Sequence, residues 1–397
     1  MRSPSDYRLL LTSRLIRGFG FGFAAVLVGI HLERRGLRPE QIGVSLSAAL
    51  LASAVVGLVL AALSRRIGRR GALMVSGGLM AITGLDLALG PGGFLLVLAG
   101  ATGMLGAASV DVGPYLGVEQ AMLAEATPSQ HRNRTFARYS LTGGLAAAVG
   151  ALAAGLGTSL ATTTVFFLVY AAIGAGTAVL ALGLSRRVET SASQATPGRA
   201  SLRPIAGLTA LFALDSLGGG LVVQSVIVYW LHVRYGAGSQ ILGPAFTLIT
   251  LLQAASFEVA GRLADRIGLV RTMVFTHLPS NLLLVLVPLA PSLGWAVALL
   301  ALRFSISQMD VPARQAYIVS VVPARDRAQA VALTNGVRGA VQAVGPALAG
   351  IAIQSSAFGL PFFVAGGLKA TYDLGLYAAF RNRPTEHEAR PAQGPAS

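Results

Sequence analysis

Long apolar runs alternate with short polar bursts along the chain, and the spacing of that alternation decides the class of protein. Runs rich in Ala, Leu, Val and Gly extend for about 20 residues or more before the next cluster of charge. That is the length a helix needs, at a 1.5 Å rise per residue, to cross the hydrocarbon core of a bilayer. No water reaches that core to bond the backbone, so only helices or closed barrels satisfy it. Barrel strands alternate polarity over about ten residues, and this sequence shows continuous apolar runs instead. The pattern predicts an all-α membrane protein of twelve transmembrane helices: 8–31, 41–63, 72–90, 93–123, 136–157, 162–184, 205–233, 241–263, 272–290, 293–321, 331–354 and 359–380. They fall into an N-terminal six-helix bundle, 1–184, and a C-terminal one, 205–383. A Ser/Thr/Pro/Arg-rich segment, 185–204, reads as a flexible linker on the cytoplasmic side. The tail, 384–397, is expected to be disordered and cytoplasmic.

Composition agrees with this reading. Charged residues make up 12% of the chain, about half the share of soluble domains. The net charge of +15 does not point to nucleic acid, because the arginines are dispersed between the apolar runs. Thirty arginines stand against a single lysine, Lys369, which reads as coding bias. The absence of cysteine removes disulfides and thiolate sites. Interrupted by Arg14 and Arg17, the first run does not read as a cleavable signal peptide. The polar bursts also set orientation, since cytoplasmic loops collect Lys and Arg. One set of loops carries Arg65, Arg66, Arg69 and Arg70, Arg132 and Arg134, Arg186 and Arg187, Arg266 and Arg271, and Arg325 and Arg327. The opposite set offers Arg34, Arg35, Arg38 and Arg234, partly offset by Glu33 and Glu40. Both termini are therefore expected in the cytoplasm of a multi-pass plasma (inner) membrane protein.

The two halves repeat one another. Arg66-Ile67-Gly68 matches Arg266-Ile267-Gly268, and Gln120, Pro128, Arg132, Gly144, Gly150 and Gly155 fall on Gln315, Pro323, Arg327, Gly339, Gly345 and Gly350. Six-helix repeats around a midplane site are a recurrent carrier plan. The stretch Gly261-Arg-Leu-Ala-Asp265-Arg266-Ile-Gly268 resembles the loop signature called motif A in the major facilitator superfamily. A weaker copy follows the second run, with Arg65 in the place of the usual aspartate and Arg66 and Gly68 retained. Gly345-Pro346-Ala-Leu-Ala-Gly350 is similar to the Gly-Pro element that antiporters of the family carry in the fifth span, here in the eleventh. The resemblance implies the family's twelve-helix fold and alternating access. It also implies a gating latch at Asp265, facing a neighbouring helix N-terminus near Arg132–Arg134, and a packing role for Gly345, Pro346 and Gly350.

Charges inside the spans carry the candidate chemistry, because an ionised side chain at mid-bilayer costs several kcal/mol. Arg17, Asp111, Glu119, Asp215, Arg303, Gln308, Asp310 and Arg314 form the expected substrate and proton cavity. They fall in spans one, four, seven and ten, which line the cavity in the resembled family. Arg17 and Asp215 sit at similar depth in repeat-related spans and are expected to pair. Arg303, Asp310 and Arg314 are spaced to form a stripe along span ten. Lys369 and Asp373 read as a peripheral structural pair, and Gly18, Gly20 and Gly22 as packing glycines. Five scattered histidines and the lack of a phosphate-binding loop exclude an enzyme, a metal site, an ATP-driven pump and any cofactor. The expected function is secondary transport of a small organic solute. Protons are the expected coupling ion, export is expected over uptake, and the expected state is a monomer. An uptake or uniport carrier and a non-transporting sensor are the alternatives.

Overall fold

The computed structural model describes residues 4–90, 102–105, 114–126, 132–185, 203–310, 314, 317 and 327–381. Among these no strand occurs. The helices are α1 (Pro4–Arg34), α2 (Pro39–Leu89), α3 (Pro114–Ala126), α4 (Arg132–Ala154), α5 (Leu160–Leu182), α6 (Arg203–Leu221) and α7 (Gln224–Tyr235). They continue with α8 (Ser239–Ile267), α9 (Leu269–Leu286), α10 (Leu293–Ser307), α11 (Arg327–Gln342), α12 (Gly345–Gln354) and α13 (Leu360–Phe380). A described helix falls within each of the twelve expected spans. Seven described stretches are by themselves long and apolar enough to cross a bilayer, from Ser5–Arg34 to Leu333–Gln354. The linker from 186 to 202 and the tail beyond 381 lie outside the described residues.

Packing is inverted relative to a soluble protein. On α4 the leucines and valine of one face, Leu141, Leu145, Val149 and Leu152, are exposed, while Gly143, Ala147, Gly150 and Ala151 are buried. The buried small residues let α4 meet α1 backbone to backbone. A Cβ at Gly22 would fall 2.0 Å from the Ala147 carbonyl oxygen, and one at Gly150 would fall 2.0 Å from that of Phe19. Large side chains turned outward and small ones inward suit a bilayer, where lipid is as apolar as leucine and close approach is what holds helices together.

Local signals set the helix ends. Ser159 caps α5: its Oγ accepts from Thr162 N at 3.2 Å, and Thr162 Oγ1 accepts from Ser159 N at 2.9 Å. Two turns need glycine. Gly68 (φ 76°, ψ 165°) breaks α2, and Gly268 (φ 85°, ψ 163°) separates α8 from α9. This region of backbone space is open only to a residue without Cβ. Gly36 and Gly236 also take positive φ, 87° and 66°. Each pair is separated by the same 200 residues as Arg66-Ile67-Gly68 and Arg266-Ile267-Gly268, so the backbone repeats with the sequence there.

Two further breaks lie in the second half. Extended Val223 (φ −62°, ψ 155°) divides α6 from α7, and Ala343–Val344 divides α11 from α12. Contacts gather the chain into two compact units: residues 1–194, 222–251 and 343–358 in the first, and 195–221, 252–342 and 359–397 in the second. In the first, α12 packs on α2, where a Cβ at Gly350 would fall 2.9 Å from the Gly43 Cα and one at Gly43 would fall 2.3 Å from the Pro346 carbonyl oxygen. In the second, α13 packs on α6 and α9, and α11 on α6.

Candidate functional site

Each unit buries its own charge centre. In the first unit Arg17 of α1 lies 1% exposed and Glu119 of α3 is fully buried. The guanidinium grips the carboxylate as a fork, with Nη1 donating to Oε1 at 2.9 Å and Nη2 to Oε2 at 2.6 Å. Ser13, one turn earlier on α1, accepts from Nη1 at 2.7 Å, and Tyr139 of α4 donates its hydroxyl to Glu119. The Tyr115 ring lies 3.9 Å beneath the guanidinium carbon. A bidentate pair with a cation–π floor is the geometry that offsets desolvation of both charges. The centre is closed. Beside it a cavity of about 10 Å³ lies between Ser13, Tyr115, Glu119 and Thr177, room for about one water.

The second unit holds a larger, branched centre around Asp215 of α6. Lys369 of α13 donates to Asp215 Oδ1 at 2.6 Å, and Arg314 Nη1 approaches Oδ2 at 3.3 Å. Arg338 of α11 stands 3.9 Å away and donates through Nε to Ser216 at 3.0 Å. Arg314 is shared, since the same Nη1 donates to Asp310 at 2.9 Å. His277 of α9 lies between two carboxylates, its Nε2 3.7 Å from Asp215 and its Nδ1 2.9 Å from Asp373. Asn281, one turn on, donates to Asp373 at 2.8 Å. Asp215, Asp310, Asp373, Arg314, Lys369 and His277 are all buried. His277 thus bridges the two carboxylates within the second unit.

These placements revise several expectations. Arg17 and Asp215 do not take one another; each finds its partners inside its own unit, Arg17 on Glu119 and Asp215 on Lys369 and Arg314. Lys369 and Asp373 are not peripheral but sit at the middle of the second centre. The stripe on span ten is interrupted: α10 ends at Ser307, and Gln308, half-buried, caps it before the turn into Asp310. Asp310 and Arg314 do bond one turn apart, while Arg303 has no carboxylate within ion-pair distance among the described residues. Asp111 lies outside the described residues, and so do the side chains of Arg65, Arg132, Asn133, Arg134 and Asp265, while Gly261 lies within α8. Of the remaining motif A residues, Arg66 and Arg266 are exposed, and Gly68 and Gly268 occupy the turns described above.

Sequence reading missed His277 and Asn281, which carry no formal charge and lie in span nine. The chain's one lysine, read there as coding bias, was the signal that could have pointed to this centre. It also left Arg34 and Arg35 as unexplained positive charge. Arg34 donates to the carbonyls of Gly157 (2.9 Å) and Thr158 (3.1 Å), just past the end of α4. Arg35 donates to Gly90 (2.7 Å) and Leu87 (3.2 Å) at the end of α2. Both guanidiniums cap helix C-termini, where unbonded carbonyls and the helix dipole favour a cation. His31 is likewise structural, bonded to Thr163 of α5 and the Leu87 carbonyl, both at 2.8 Å.

Comparison with known proteins places this geometry in a family. The Major Facilitator Superfamily model matches residues 10–305 and 216–396. An uncharacterized membrane protein of Saccharomyces cerevisiae is 25% identical, with 94% of each chain covered. Among solved structures, the nucleoside transporter NupG superposes with a TM-score of 0.74 at 13% identity, covering 94% of this chain and all of that one. A D-xylose-proton symporter gives 0.70 at 16% identity, over 94% and 97% of the two chains. The xylose transporter XylE from E. coli gives 0.68 at 14% identity, over 96% and 98%. The all-helical architecture, the sequence repeat and the family match agree: this chain belongs to the Major Facilitator Superfamily and is a multi-pass membrane transporter, not an enzyme.

Proposed function

We propose that the protein is a proton-coupled secondary carrier of a small organic solute, working by alternating access of two six-helix halves, with Asp215 and Lys369 as the coupling pair. One observation carries this reading. In a chain with thirty arginines the single lysine is buried 2.6 Å from an aspartate. A guanidinium keeps its proton at every accessible pH, whereas a desolvated amine can give one up. The chain's single lysine, whose proton can leave where an arginine's cannot, thus stands directly on Asp215. Asp215 also has alternative partners in Arg314 and His277, so losing the lysine's charge would not strand it. A mid-membrane carboxylate that trades partners supplies the two protonation states that a coupled cycle requires. In this scheme the protein is a monomer in the plasma membrane with both termini in the cytoplasm.

The likeness of Gly345-Pro346 to the antiporter element favours export in exchange for protons. The second reading, proton-coupled uptake, has a precedent in the D-xylose-proton symporter whose fold this chain shares.

Purified protein in liposomes under an imposed pH gradient, with internal pH followed across a panel of diverse solutes, tests both. The expected result is solute-driven proton movement, its sign giving the direction. Asp215→Asn and Lys369→Arg are expected to abolish proton movement while solute exchange persists. Solute flux without protons for every substrate found, or wild-type coupling in both variants, overturns the proposal.

A further inference from the structure

Among the described residues, Arg303 of α10 is a buried cation of the second unit that feels Asp215 and Asp310 but holds neither in a direct ion pair. It is 5% exposed, no carboxylate lies within ion-pair distance among the described residues, and its Nε has no hydrogen-bond partner. Lys369 and Arg314 each hold a carboxylate, and Arg338 is only part-buried. A guanidinium taken out of water without a counter-charge is costly, and unpaired buried polar groups call for a partner that is not yet in place.

The other orphaned groups of the same unit have the same polarity. Ser307 stands one helical turn from Arg303 on the same face of α10, 3% exposed, with its Oγ unbonded. The hydroxyls of Thr209 and Ser280 are likewise buried without a hydrogen-bond partner, whereas that of Tyr372 on α13 meets the Arg314 guanidinium. Every one of these can donate a hydrogen bond. Asn281 Oδ1 is the one acceptor among them that can only accept. A ligand that satisfied the Arg303 guanidinium with Ser307 would supply acceptor oxygens and negative charge. The Arg17 centre of the first unit differs: Arg17 already holds Glu119 in a fork, and the cavity beside that pair has room for about one water.

We infer that the transported solute is a small organic anion, with a carboxylate or phosphate head group held by Arg303 and Ser307 beside the Asp215 centre. This assignment rests on the carrier reading above. It separates two tasks within one unit: Arg303 and Ser307 hold the solute's charge, and Asp215, Lys369 and His277 handle the proton. An arginine suits the first task because its planar fork matches the two oxygens of a carboxylate or phosphate.

The test is equilibrium binding to purified protein, read as a saturable rise in unfolding temperature. The probes are acetate, lactate, benzoate and phenyl phosphate, with benzamide as the neutral control and chloride at matched ionic strength. At least one organic anion is expected to bind where benzamide and chloride do not, and the better head group names the class. Arg303→Gln is expected to weaken that affinity by tenfold or more, Arg303→Lys to restore part of it, and Ser307→Ala to weaken it severalfold. The last two keep the fold in view should Arg303→Gln not express. Equal binding of benzamide, equal binding of chloride, no anion-specific shift at millimolar concentration, or wild-type affinity in the variants would each overturn the inference. Arg303-dependent binding without flux in liposomes would end the carrier reading and leave the anion site standing. Flux with an affinity indifferent to Arg303 would do the reverse.

Discussion

At the scale of single residues, both centres follow from one rule, that a charge inside a membrane protein must be matched within reach of its own side chain. Arg17 and Glu119 obey it fully, and each depends on the other. Glu119→Gln leaves a buried guanidinium with a neutral partner and is expected to cost about 3–5 kcal/mol, the usual penalty for breaking a buried pair. Replacing both members by apolar residues, Arg17→Met with Glu119→Leu, is expected to be close to neutral. Detergent unfolding of the single and double variants measures the difference. A double variant as unstable as the single one would show that Tyr115, Tyr139 and Ser13 need the pair as much as it needs them. The rule also explains what could be read beforehand. Glu119, Asp215, Asp310 and Arg314 stood out as charges in apolar runs, and the structure brings each into a pair. The identity of the partners could not be read, because pairing depends on helix rotation, which an apolar run with small residues on one face and leucines on another does not fix from sequence. His277 escaped for another reason, since the formal charge count of a sequence leaves histidine out.

Helices were legible where the run was apolar throughout and less so where a break was needed. The ends of α1, α5 and α13 fall within a few residues of expectation, since charge or a capping serine marks them. The division of α6 from α7 occurs at Val222–Val223, two residues that in sequence read as the middle of a span. Only Pro346, just inside α12, advertised the corresponding break in span eleven. The turns at Gly68 and Gly268 are different: they occupy backbone space closed to any residue with a Cβ. Gly68→Ala and Gly268→Ala are each expected to destabilise by about 1–3 kcal/mol, the usual cost of such strain. Thermal unfolding of the two variants checks this. Unfolding temperatures equal to wild type would mean that the turns relax into ordinary helix.

At the scale of the whole molecule, the repeat makes a claim about the membrane. Arg65–Arg70 and Arg266–Arg271 occupy corresponding loops, so a two-half carrier must present both to the same side. Reporter fusions after Arg70 and after Arg271 are expected to report one compartment, the cytoplasm, and opposite compartments would undo the two-half architecture. The class of fold was open to reading because lipid imposes a length on every span, and that length is written in the sequence. The compact units were not open to reading, because the contacts that define them come from segments far apart along the chain, such as α7 and α12 with α1 and α2. The glycine turns at 36 and 236, and at 68 and 268, carry one consequence beyond mechanics. A half-length ancestor, doubled and fused, would hand identical bends to both descendants, and both still have them. The charged centres show no such kinship: one is a closed fork on α1 and α3, the other a branched cluster on α6, α9, α11 and α13. Such an origin would account for a scaffold common to both halves, while the two charged centres, having no counterpart in one another, would have arisen separately in each.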